Sequence, residues 1–120
     1  MTMRAVIAAA ALLLLATPAF AAGDAARGKL VFQRCAGCHS LGANGTGPSL
    51  AGVVGRRAGG MGGYAYSKAM LGSGLTWDEA TLKKFLADPD ALVPGTKMMS
   101  GAVTDPQQAD DVIAYMHSPQ

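Results

Sequence analysis

The sequence predicts an all-α fold: three main helices, with short helices and glycine-rich loops wrapped around a centre that the chain does not fill by itself. Three observations lead there. Capped segments with helical apolar spacing open, follow and close the main body of the chain. No stretch reads as a convincing strand. Only three Phe, three Tyr and one Trp stand beside 16 Gly, so protein atoms alone would make a thin core for a domain of this size.

The first helix is expected over about Ala25 to Cys35, with Asp24 as N-cap. Gly28, Phe32 and Cys35 fall on one face, and a glycine inside a helix points to a weak helix or to close approach of another element. The second helix follows Thr76-Trp77-Asp78-Glu79, a capping box with Thr76 at the cap. It carries an apolar stripe of Leu82, Phe85 and Leu86 and ends at Asp88 ahead of Pro89. The third helix starts at Asp105-Pro106, and Ala109, Val112, Ile113 and Met116 recur along one face. Between the first two lies a glycine-rich stretch, Ser40 to Leu75, with short helices expected over Pro48 to Val54 and Ser67 to Leu71. An irregular stretch this long in a compact domain points to a functional loop.

The fold excludes the N-terminus. Arg4 supplies a positive charge, Ala5 to Ala16 is an apolar run of about 12 residues, and Ala19-Phe20-Ala21 is a small-x-small site, the layout of a secretory signal peptide. The run is shorter than the roughly 20 residues needed to span a bilayer; retention as an anchor is the alternative. Residues 1–21 are therefore expected to be cleaved, leaving a single domain over 22–120. Loss of Arg4 leaves nine basic and eight acidic side chains, a near-neutral balance that argues against nucleic acid or an anionic membrane as partner.

The chemistry concentrates in Cys35-Ala36-Gly37-Cys38-His39, which holds both cysteines of the chain. C-x-x-C-H reads as a c-type haem attachment string: two thiols reach two vinyl groups, and the adjacent imidazole meets the iron from one face. The other ring nitrogen of His39 should then donate a hydrogen bond that sets the tautomer. A disulfide suits an exported chain, but thioredoxin-like chemistry wants a βαβ context that is missing. A zinc site wants more ligands than His117 could add. A thioether on the opposite face favours ferrous iron. The candidates are Met61, Met70, Met98, Met99 and Met116. Met116 sits on the last helix's apolar stripe and reads as core; Met98 and Met99 follow the turn-rich Val93-Pro94-Gly95-Thr96-Lys97, and spacing leaves the pair undecided.

Taken together with Gly28, Phe32, Gly47-Pro48-Ser49-Leu50, Val54-Gly55-Arg56, Leu75-Thr76-Trp77, Pro94-Gly95-Thr96-Lys97-Met98 and Ile113-Ala114-Tyr115, these residues make the chain resemble the class I cytochromes c over nearly all of its mature length. The resemblance implies the cytochrome c fold around one covalent haem c, with the iron held by His39 and by Met98 rather than Met99. It implies that the Pro48 carbonyl accepts from His39, and that Gly28 lets the first and last helices cross closely beside Phe32 and Tyr115. It further implies that Arg56, Tyr66, Trp77 and Thr96 serve the haem propionates. The chain departs from mitochondrial relatives at Phe85, where they carry a Tyr that contacts the ligand sulfur. It departs again at Ser100, where an aromatic is lost, and at Asp90, where a docking lysine is lost.

The function implied is single-electron transfer between redox partner proteins by a monomeric, non-enzymatic carrier in the periplasm, with Arg34, Lys83, Lys84 and Lys97 as candidates for the docking rim. Two rivals follow from the same residues. If Met98 leaves readily, an open iron gives a peroxidase-like enzyme; if electrons do not turn over freely, the chain is a haem-holding subunit or sensor.

Overall fold

The computed structural model describes residues 9–13 and 23–120. Most of the expected signal peptide, and its cleavage point after Ala21, lie outside the described residues. Among the described residues five helices follow one another: α1 (Ala25–Phe32), α2 (Lys68–Leu71), α3 (Glu79–Ala87), α4 (Pro89–Leu92) and α5 (Pro106–His117). Among the described residues there is no strand, only an isolated antiparallel bridge between Arg57 and Thr76. None of the described helices is long and apolar enough to cross a membrane.

Local chemistry sets the helix ends. The Asp24 carboxylate accepts from the Arg27 N–H and starts α1, and Asp105 does the same for Gln108 at α5, where Pro106 takes the first helical position. Ser67 caps α2 through the Met70 N–H. At α3 the cap is Asp78, which accepts from Thr81, not the expected Thr76. Thr76 is engaged instead in the bridge to Arg57, with Trp77 N–H donating to Arg56 O at 2.8 Å. Pro89 ends α3 as expected and then opens α4, whose cap is again Asp88.

The expected helix over Pro48 to Val54 does not form. The carbonyls that such a helix would use are taken by side chains: Pro48 O by His39, Ser49 O and Ala51 O by Arg56. Gly52, with φ near +63°, closes a turn there instead.

The largest helix contact is α1 against α5. Gly28 permits it: a Cβ there would run into the Asp111 carbonyl and lie 2.8 Å from the Tyr115 Cβ. Phe32 and Tyr115 stack edge-to-face with centroids 5.3 Å apart, a contact worth about 1 kcal/mol beyond its buried area. The crossing also buries the Asp111 carboxylate. It accepts from the Asp24 N–H at 2.7 Å, from Arg27 Nε at 3.0 Å and from Gln107 Nε2 at 3.0 Å. The bond from Arg27 holds the Asp111 carboxyl below its ordinary range, against the opposing effect of burial. With α3 packed on α5, α5 sits between α1 and α3, and the apolar stripes of α3 and α5 face one interior space.

Candidate haem-binding site

That space is a cavity of about 340 Å³, within the range of pockets that hold a small organic group. Leu82, Phe85 and Leu86 from α3, Val112 and Met116 from α5, and Met70 from α2 give it apolar walls. The stripes read from the sequence as core thus face a hollow as well as one another.

The chain beyond α1 continues as turns. Cys35 N–H donates to Phe32 O at 2.8 Å, Cys38 N–H to Cys35 O at 3.1 Å and His39 N–H to Cys35 O at 2.8 Å. This winding brings Cys35, Cys38 and His39 to the same cavity wall. The two thiols are not bonded to each other. Cys35 is buried and Cys38 exposed, and burial raises the Cys35 pKa.

His39 Nδ1 lies 2.8 Å from Pro48 O. A carbonyl can only accept, so Nδ1 carries the proton and the Nε2 lone pair is left free, the tautomer a metal-binding imidazole needs. Gly47 lies against the ring: a Cβ there would come within 2.7 Å of Nδ1 and 2.8 Å of Nε2.

Met98 also lines the cavity and is half-buried. Met99 reaches the cavity's edge but is 93 % exposed. Of the other candidate methionines, Met70 and Met116 are buried in the wall, and Met61 stands outside the lining. Arg56, Tyr66, Trp77 and Thr96 all line the same cavity, as does Pro48. Arg56 spends its two terminal nitrogens on Ala51 O and Ser49 O at 2.8 and 2.9 Å. Its Nε is buried without a partner among the described residues, a costly state unless an acceptor joins it. Tyr66 Oη accepts from the Met61 N–H at 3.0 Å, Thr96 Oγ1 from the Met98 N–H at 3.3 Å, and Trp77 packs on Phe85 with centroids 4.9 Å apart.

The residues fit a covalently held haem. Two unpaired thiols, an imidazole with Nε2 free and a thioether converge on one largely apolar cavity, and an orphaned arginine N–H on its wall calls for an anionic acceptor. Sequence reading missed one residue of this site, Asn44, whose side chain bonds both Ser49 and Gly62. An Asn-Gly pair signals only a turn, and its distant partners leave no local pattern.

Fold and site together define a class I cytochrome c. The cytochrome c family model matches residues 25–120, and the chain belongs to that family, whose members carry one covalent c-type haem and transfer single electrons. It is 50% identical over 101 residues to cytochrome c2 of Rhodomicrobium vannielii, covering 82% of this chain and 81% of the relative. It is 43% identical over 97 residues to cytochrome c-550 of Nitrobacter winogradskyi, covering 78% and 89% respectively. Among solved structures, cytochrome cH from Methylobacterium extorquens superposes with a TM-score of 0.76 at 55% identity, covering 78% of this chain and 97% of that one.

Proposed function

We propose that this chain is an exported electron carrier whose haem is bonded to Cys35 and Cys38 and whose iron is held between His39 and Met98. The observation that carries the reading is the pairing of His39, its Nδ1 proton committed to Pro48 O, with a half-buried Met98 on one cavity. When bound, the iron porphyrin supplies the one-electron chemistry by cycling between ferric and ferrous states.

The chain's own residues do the rest. Cys35 and Cys38 fix the group's position covalently. The Pro48 carbonyl holds the His39 ring in one tautomer, and the Met98 sulfur, a soft ligand, favours the ferrous form. Arg56 Nε, together with Tyr66, Trp77 and Thr96 on the same cavity lining, would compensate propionate charge that would otherwise be buried unpaired. The apolar wall from α3 and α5 keeps water out and lowers the cost of charge rearrangement.

The carrier reading is supported by the single-electron chemistry of the family and by the half-burial of Met98 in the cavity wall, since the peroxidase-like alternative needs Met98 to leave the iron readily. At the rim, Arg34 is bonded to Gln108, and Lys97 Nζ donates to Ala65 O at 2.6 Å while lying over the Tyr64 ring. Lys83 pairs with Asp110 at 2.9 Å, which assigns it to the α3–α5 contact and leaves Arg34, Lys84 and Lys97 as docking charges. Redox partners of this kind form small, transient interfaces. We place the carrier in the periplasm as a monomer, with residues 1–21 removed and 22–120 retained.

The test is the exported protein purified from periplasm. Mass spectrometry should find the chain starting at Ala22 with one haem added. Its spectrum should show a six-coordinate low-spin iron with a thioether-ligand band, lost in Met98→Ala and kept in Met99→Ala. A colourless product with a Cys35–Cys38 disulfide would overturn the reading.

A further inference from the structure

The peptide group between Pro48 and Ser49 is pinned on both faces. Its C=O accepts from His39 Nδ1 at 2.8 Å. Its N–H donates to Asn44 Oδ1 at 2.8 Å. The other end of the same side-chain amide, Asn44 Nδ2, donates to Gly62 O at 3.0 Å. The orientation of the Asn44 amide is thus determined by its partners, because an N–H must meet oxygen and a carbonyl must meet nitrogen. One continuous chain of hydrogen bonds runs from Gly62 O through Asn44 and the Pro48–Ser49 peptide to the imidazole.

Two consequences follow. Rotation of the 48–49 peptide plane, which would withdraw the carbonyl from His39, breaks the Asn44 bond at the same time. A donor engaged on the N–H side of an amide also makes its carbonyl a better acceptor, because bonds in a chain polarise one another. Ser49 is buried at 2 % exposure, so water has little access to replace Asn44 there.

We propose that Asn44 is a positioning residue for the haem-facing imidazole: it sets the aim and the acceptor strength of the Pro48 carbonyl, and through Gly62 it ties that loop to the segment bearing Tyr64 and Tyr66. The proposal rests on the reading of His39 as the iron's proximal ligand. It assigns the two ends of the amide separate tasks, the oxygen acting on His39 and the nitrogen on the loop.

The test uses ferrous holoprotein, which is diamagnetic, and follows exchange of the His39 Nδ1 proton with solvent by nitrogen-15 NMR. Asn44→Ala should speed that exchange about tenfold, the equivalent of one lost hydrogen bond in a polarised chain. Asn44→Asp keeps the acceptor for Ser49 and discards the donor to Gly62, so it should exchange near the parent rate. Asn44→Ser, a smaller packing change, should behave as Asn44→Ala. The Tyr115 backbone amide on α5 should be unaffected throughout. Exchange unchanged in Asn44→Ala, or as fast in Asn44→Asp as in Asn44→Ala, would overturn the proposal and reduce Asn44 to a loop tether. If the parent's His39 ring resonances lack the large shift of an iron-bound imidazole, it is the ligand reading that falls, while the comparison among variants still reports on Asn44.

Discussion

The two walls that carry the proposed axial ligands are held by opposite means. On the His39 side, the loop from Cys38 to Ala51 is stitched at nearly every step. Gly47 N–H meets Cys38 O and Leu50 N–H meets Ser40 O, both at 2.8 Å, while Asn44 and Arg56 secure the peptides around Ser49. On the Met98 side, the arm is fastened only near its ends. Thr96 N–H donates to Val93 O at 2.9 Å and Val103 N–H to Leu86 O at 2.7 Å. Met98 N–H reaches Thr96 Oγ1, and no residue from Met99 to Ala102 makes a hydrogen bond with any described residue. The arm also walls a second hollow of about 410 Å³, beside Ala87, Asp88 and Pro89. A built wall therefore faces a suspended one, and substitutions should cost much more on the first.

The sharpest way to break this contrast is Gly47→Ala. Its Cβ would crowd the His39 ring at distances that real contacts do not tolerate, and the stitched loop has nowhere to retreat. We expect a loss of about 3 kcal/mol, the upper range for overpacking, read by denaturant unfolding of the holoprotein, with a lower yield of haem-loaded chain. A loss below about 1 kcal/mol would show that the loop yields as easily as the arm.

The stitched wall stands on the α1–α5 crossing, and Asp111→Asn tests that foundation. The substitution keeps an oxygen for the Asp24 N–H but removes the charge facing Arg27, costing about 2 kcal/mol at neutral pH. The Asp111 pKa is lowered in the fold. Its contribution is therefore present above the unfolded value of about 4 and lost as pH falls through the lower folded value. The stability gap between parent and Asp111→Asn should narrow in acid; a gap that widens below pH of about 4 would contradict the assignment.

On the suspended side, Gly101→Ala probes backbone rather than packing. Gly101 sits at φ +85° and a Cβ there would make only an ordinary 3.8 Å contact with Met98 Cε. The cost is then conformational alone, about 1 kcal/mol. It should be accompanied by faster displacement of Met98 by added imidazole, followed by loss of the thioether band. Displacement slower than in the parent would mean that the arm is more tightly held than its hydrogen bonds indicate.

Much of the built wall was legible in the sequence, but the reason it is rigid was not. Asp24, Asp105 and Pro106 announce their helices because a cap acts on residues two or three positions away, and the Cys35–His39 string carries its chemistry in its own spacing. Gly28 on its own left a weak helix and a close approach both open, and only the resemblance to the class I cytochromes c named the crossing with the last helix. Asn44 is different, since it works on partners five and 18 positions distant, and nothing in the chain marks such a pair. The missing helix at Pro48 to Val54 has the same origin. Its carbonyls are claimed by His39 and Arg56, side chains outside the segment, and a propensity argument does not see a competing donor. The displaced cap of α3 shows the same effect, with Thr76 drawn into a bridge to Arg57. Local rules held wherever the partners were local.

The smallest effect is expected at Met99, and it bears on which sulfur the arm presents. Met98 and Met99 are chemically identical and adjacent, and composition cannot separate them. Burial can: Met98 is half-buried in the cavity wall, whereas Met99 is 93 % exposed. A side chain that contributes so little buried area stabilises the fold by next to nothing, so Met99→Ser should change stability by less than about 0.5 kcal/mol. It should also leave the thioether band at full strength, because the half-buried neighbour keeps its place. If instead Met99→Ser abolishes the band while Met98→Ser spares it, the suspended arm turns over in the haem-loaded protein and presents the other sulfur. The lack of hydrogen bonds from Met99 to Ala102 to any described residue makes that a meaningful alternative to test, since a half-turn of the arm would put at risk only the 3.3 Å bond from Met98 N–H to Thr96 Oγ1. An unchanged band and unchanged unfolding midpoint in Met99→Ser would place the contrast between the two walls in hydrogen bonding, with exposed side chains contributing nothing to it.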